Sequence, residues 1–110
     1  MQMGSVLQDR TPKTRVIHAD GSKVVALSIV STLQDLGYQI EYTSSELRLI
    51  TGHGKDGKVT VTYNEINKDL VQVRANFSNL DDDISTENLK YQSFFNVLSK
   101  NVFLSGHGII

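Results

Sequence analysis

The sequence contains no cysteine, which excludes disulfides, thiolate nucleophiles and zinc sites built on sulfur, and leaves the redox compartment open. No stretch approaches the roughly 20 apolar residues of a membrane span, and the opening MQMGSVLQDR has neither the basic flank nor the apolar core of a signal peptide. Neither sign of charge dominates. The 11 Lys and Arg stand against 12 Asp and Glu for a formal charge of −1, so no basic field gathers a phosphate backbone and nucleic acid is not an expected partner. Internal repeats and low-complexity segments are also missing. The 110 residues suffice for one core, since a chain of this size buries roughly two-thirds of its unfolded surface. The single proline, Pro12, closes a polar head. The division expected is a disordered head over 1–12, one α+β domain over 13–105 and a tail over 106–110.

What is present is a clear succession of periods. KTRVIH, Lys13 to His18, has a β-rich middle and predicts a strand. Ala26, Ile29, Val30, Leu33 and Leu36 then recur at spacings of three and four, with Ser28, Ser31, Gln34 and Asp35 on the other side. That is an amphipathic helix, capped by Asp20 or Ser22 and stopped by Gly37. After Gly37 the period falls to two. Tyr38, Ile40 and Tyr42 alternate with polar residues; SELRLITG repeats the strand signal around Leu47 and Leu49; Val59, Val61 and Tyr63 follow, and then Val71, Val73, Ala75 and Phe77. The connections TSSE, GHGKDGK and EINKD are short, so neighbouring strands should pair antiparallel. Tyr91, Phe94, Phe95, Leu98 and Val102 mark a closing helix with Gly106 as its stop. The order β-α-β-β-β-β-α, with one apolar stripe per helix and one apolar sheet face, predicts a two-layer α+β sandwich with a mainly antiparallel sheet and both helices on one face. Periodicity does not set the strand order, though the first strand is expected at or near an edge.

Three stretches invite chemistry. GHGKDGK, Gly52 to Lys58, matches G-x-G-x-x-G with a lysine behind it. A phosphate-binding turn needs a helix after the glycines, whereas KVTVTY has a strand period, and Gly57-Lys58 lacks the Ser or Thr of a P-loop. Asp56-Gly57 is a hairpin signal, so a hairpin is expected with no nucleotide cofactor. NLDDDISTENLK places Asn79, Asp81, Asp83, Ser85 and Glu87 like the first ligands of a calcium loop, but Ile84 stands where the turn glycine belongs and Lys90 where the bidentate Glu belongs. A solvated loop capping the closing helix through Asp83, Ser85 or Thr86 is the better account. His18, His53 and His107 each sit at the end of an element, and no two are spaced to share a helix face, so structural or exposed histidines are expected rather than metal ligands or a general base. No G-x-S-x-G places a nucleophilic serine. No catalytic, cofactor or metal residue is therefore assigned, and the chain is not expected to be an enzyme.

Val24 and Leu27 lie well off the stripe of the first helix, as Leu89 and Phe103 do on the second. Surplus apolar positions widen a buried face or serve a partner. With an open strand edge near Arg15 and Ile17, they form the candidate partner contact: Val24, Leu27, Arg15 and Ile17.

TRVIHADGSKVVALSIVSTLQDLGYQI, then VQVRANF, then YQSFFNVLSKNVFL resembles a family of uncharacterised bacterial envelope proteins, many of them lipoproteins. The shared pattern is a T-R strand, an LQDLG[YF]-x-I helix exit, a V-x-V-R strand and a Y-x-x-F-F-x-x-L-x-K-x-x-F-L closing helix, running over Thr14 to Leu104. The stretch ELRLITGHGKDG departs from it. The resemblance implies a periplasm-facing accessory domain and supplies no active site. It implies attachment to the membrane only through a lipid anchor, whose cysteine this sequence lacks. Two readings follow. One is a non-catalytic interaction module of the cell envelope that binds another envelope protein. The other is a small-ligand carrier or enzyme using a groove between helices and sheet lined by Tyr38, Tyr42 and Phe95.

Overall fold

A computed structural model describes residues 13–55, 57–78 and 84–106. The expected head over 1–12, and the tail beyond Gly106, lie outside the described residues. In chain order the elements are β1 (Thr14–His18), α1 (Ser22–Asp35), β2 (Gln39–Ser44), β3 (Leu49–Gly54), β4 (Gly57–Asn67), β5 (Leu70–Ser78) and α2 (Ile84–Gly106). The strands form one antiparallel sheet in the order β1-β5-β4-β3-β2. Both helices pack on one face, α1 over β2, β3 and β4, and α2 over β5. The fold is the α+β sandwich that the periods predict, with β1 at an edge.

The central strands follow their alternation. Val59, Val61 and Tyr63 of β4 and Val71, Val73, Ala75 and Phe77 of β5 are buried, while the residues between them are exposed. Tyr91, Phe94, Phe95, Leu98 and Val102 of α2 are all buried against them. Phe77 is the meeting point. Its ring lies 5.1 Å from that of Tyr91, 6.0 Å from Phe94 and 5.8 Å from Tyr38, in edge-on or tilted geometry. Its N–H points toward the β1 side of β5, one step past the Lys13 carbonyl that takes the Ala75 N–H, and there it donates to the Tyr91 hydroxyl at 3.0 Å. A side chain of α2 thus completes the ladder of β5.

Gly37 ends α1 as expected. It sits at φ 93°, its N–H donates to the Gln34 carbonyl at 3.0 Å and the Tyr38 N–H to the Leu33 carbonyl at 2.8 Å, which is a Schellman closure. The start of α1 differs from expectation. Neither Asp20 nor Ser22 caps it; Gly21 occupies the cap position with no side-chain bond. The Ser22 N–H donates instead to the Glu65 carboxylate at 2.9 Å. β4 therefore supplies both an acceptor for the first turn and a negative charge at the positive helix end.

Four further expectations are corrected. Ser28, placed on the polar side of α1, is buried together with Thr32, because α1 lies beside α2 as well as on the sheet and its covered arc turns that way. Asn101 of α2 donates to the Thr32 hydroxyl at 3.0 Å and to the Asp35 carboxylate at 3.3 Å. Tyr42 does not continue the inward row of Tyr38 and Ile40: a bulge at Glu41 shifts the register, so Tyr42 pairs with Thr51 of the outer row and is exposed. Leu47 lies in the turn before β3, where the Ser44 hydroxyl accepts its N–H at 3.1 Å. The inward residue of β3 is Ile50, while Leu49 faces outward opposite Thr62. Finally, Ser85 and Thr86 are inside α2 rather than at its cap, and Asp83 lies outside the described residues.

Two substitutions test this packing. Phe95→Ala, which empties a fully buried ring site, is expected to cost about 3–5 kcal/mol. Tyr91→Phe, which leaves the buried Phe77 N–H without its acceptor, is expected to cost about 1–3 kcal/mol. Urea unfolding measures both. An unchanged midpoint for Phe95→Ala would mean the stripe of α2 is misplaced.

Candidate functional site

GHGKDGK is a tight hairpin. Gly52, His53 and Gly54 of β3 face Val59, Lys58 and Gly57 of β4, leaving a two-residue connection; Asp56 within it lies outside the described residues. Gly57 takes a φ of 131°, a positive value that favours glycine at a tight turn. The other two glycines answer to β2. A Cβ on Gly52 would stand 2.9 Å from the Gln39 carbonyl oxygen, and one on Gly54 would stand 3.2 Å from the Tyr38 ring. These glycines let the bulged strand and the Tyr38 ring approach the sheet, and no helix begins near them. The spacing that imitates a phosphate loop is a packing requirement.

The histidines are dispersed. His18 ends β1 and is exposed. His53, on the outer face, has its Nδ1 2.9 Å from the Glu41 carboxylate across the bulge. His107 and the acidic loop Asn79 to Asp83 lie outside the described residues. Among the described residues, no three His, Cys, Asp or Glu side chains come close enough to hold a metal ion, and no helix is long and apolar enough to cross a membrane.

A feature with room for a partner lies along β1. A depression of about 850 Å³, open to solvent, sets Val16, Ile17 and His18 against Ser99, Val102 and Phe103 of α2, with Asp20 and Asp69 at one end. Its floor is a strand edge. The Lys13 carbonyl accepts from the Ala75 N–H and the Ala19 N–H donates to the Asp69 carbonyl at 3.1 Å. Residues 13, 15, 17 and 19 therefore spend their main-chain groups on β5, and those of Thr14, Val16 and His18 point away from the sheet. Arg15 folds its guanidinium over the Phe95 ring at 4.8 Å and Lys13 reaches over Tyr91 at 5.7 Å. Both cations are thereby held along the helix side of this edge.

Of the expected contact residues, Arg15 is exposed and lines the depression, whereas the Ile17 side chain is core, only 6% exposed, so what β1 can offer there is backbone rather than that side chain. Leu27 is 61% exposed and Val24 half-buried on α1, and neither lines the depression. Val16 and Phe103, 44% and 58% exposed, are the apolar residues that do. Phe103 was legible as an off-stripe position; Val16 was legible only as the outward member of a strand alternation whose edge position was unknown. The groove expected from Tyr38, Tyr42 and Phe95 does not assemble, since Phe95 is fully buried and Tyr42 faces the opposite side of the sheet.

No protein-family profile matches the chain, and no curated protein sequence matches it.

The hairpin assignment has two direct checks. Millimolar ATP or NAD should leave the amide resonances of residues 52–58 in place, saturable shifts there being the contrary result. Gly52→Ala should cost about 1–3 kcal/mol by overpacking against β2.

Proposed function

We propose that this chain is a non-catalytic interaction module of the bacterial cell envelope, facing the periplasm and binding another protein through the outer edge of β1, which has no second neighbouring strand among the described residues, and the adjoining flank of α2. The observation that carries the reading is the outward main chain of Thr14, Val16 and His18 beside exposed Val16 and Phe103. An added strand gains affinity from main-chain hydrogen bonds and specificity from alternate side chains, and both are on offer here. The envelope setting rests on the resemblance over Thr14 to Leu104. The exposed positions Leu27 and Val24 of α1 offer a second contact on a different side of the domain. The competing small-ligand or enzymatic reading had its site in the aromatic groove, and the residues named for it face apart.

A photo-crosslinking amino acid at position 103, expressed in the host cell, should yield a discrete protein adduct that the same probe at Thr60 on the outer sheet face does not. No adduct from position 103 overturns the reading, as does turnover of a substrate by the purified protein. Leu27→Glu is expected to leave stability within about 0.5 kcal/mol, because the site is solvated. Loss of fold would return Leu27 to the core and remove α1 as a contact.

A further inference from the structure

We infer that the occupant of the β1 edge is a second copy of this chain, paired antiparallel about a two-fold axis through Val16. This rests on the reading of the β1 edge as an interface and puts a second copy of this chain where that reading has another protein. A two-fold interface requires a surface complementary to itself, and three independent features of this edge meet that requirement.

The first is the hydrogen-bond register. In an antiparallel pair centred on Val16, Thr14 faces the second copy's His18 and Val16 faces its own counterpart. Those are the residues whose main-chain groups point outward. About six cross-strand hydrogen bonds close without a bulge or a mismatched parity. No proline interrupts the five residues Thr14–His18, so nothing on the backbone blocks the pairing.

The second is charge. The edge is cationic at its start, where Lys13 and Arg15 lie over aromatic rings, and acidic at its finish, where Asp20 and Asp69 line the depression. Among the described residues neither cation meets a carboxylate. Antiparallel pairing sets Lys13 opposite the second copy's Ala19, next to its Asp20, and the same contact repeats on the other side of the axis. Arg15 then faces Ile17 rather than another cation. A parallel arrangement would set like charges together.

The third is the helix layer. Strands repeat at about 4.8 Å and helices pack at about 8–10 Å, so one helix covers about two strands. With α2 over β5 and its aromatic rings beneath the β1 cations, the next helix position beyond β1 is that of the second copy's α2. The depression between the β1 edge and Ser99 and Phe103 of α2 is then filled by the same helix flank of the other chain, which covers Phe103, while the exposed Val16 side chains meet across the axis on the outer face. The assembly is one continuous sheet with its helices in one layer.

Sedimentation equilibrium at tens of micromolar should give twice the chain mass of 12.2 kDa. Val16→Pro, which removes an outward N–H without touching the β5 ladder, should weaken association at least about tenfold. Because a proline can also harm folding, the decisive test is a charge exchange. Lys13→Glu and Asp20→Lys should each weaken self-association and raise its salt dependence, and mixing the two variants should restore it as a heterodimer, since each cross-axis pair is then oppositely charged. A monomer, or a dimer indifferent to all three variants, overturns the inference. The mass of the adduct from position 103 separates the outcomes: a different protein there sinks the dimer and leaves the interaction-module reading standing, while no adduct sinks both.

Discussion

The junction at Phe77 is the constraint on which the other features depend. Tyr38 reaches it from the exit of α1, Tyr91 and Phe94 reach it from α2, and the Tyr91 hydroxyl takes the Phe77 N–H where the β1 ladder has ended. Three elements distant in sequence are thus held by one aromatic side chain and one buried hydrogen bond. Edge-on rings specify orientation as well as distance, so α2 is set over β5 rather than elsewhere on the sheet. The polar part is as consequential as the apolar part, since a buried amide must find an acceptor and the Tyr91 hydroxyl is the one that serves.

That placement shapes the edge. With α2 over β5, its Tyr91 and Phe95 rings lie within reach of Lys13 and Arg15, and these cations fold onto the rings. The helix shields the underside of β1, and among the described residues no strand pairs with its outer backbone. The far end of the sheet is treated differently. β2 carries a bulge at Glu41, tied by the contact from His53, and presents Tyr42 to solvent, as the turn after it does Leu47. A bulged strand is a poor template for further pairing, and a regular one is a good template. The two edges thus differ in their capacity for further pairing, and β1 is the better template.

Glu65 shows how the layers are tied at the other end of the sheet. It follows the buried row of Val59, Val61 and Tyr63 on β4, where alternation would call for another apolar residue, and its carboxylate meets the Ser22 N–H at the start of α1. Gly21 precedes Ser22 at φ 99°, a backbone region that favours glycine, while a Cβ there would meet the carboxylate only at an ordinary 3.5 Å. Helix start and strand end are joined across 43 residues of chain. The cap that local sequence would supply is replaced by a tertiary one.

The sequence by itself determined the elements whose signal lies within a few neighbouring residues. The alternation of Val59 to Tyr63 and Val71 to Phe77, the stripe from Tyr91 to Val102 and the stop at Gly37 all appear in the structure as periodicity predicts. These patterns are legible because one repeat of a strand or helix already separates a buried face from a wet one. Only the tertiary structure decided that Glu41 bulges and turns Tyr42 outward, that Ser28 and Thr32 face a second helix, that Glu65 caps α1, and that β1 borders β5 with no strand on its other side among the described residues. Each of these depends on which distant element lies alongside, a relation that a period of two or of 3.6 residues does not carry. The candidate surface belongs to that second class: its residues were in plain view, but an outward-pointing main chain at Val16 acquires meaning only once the strand is known to have one neighbour.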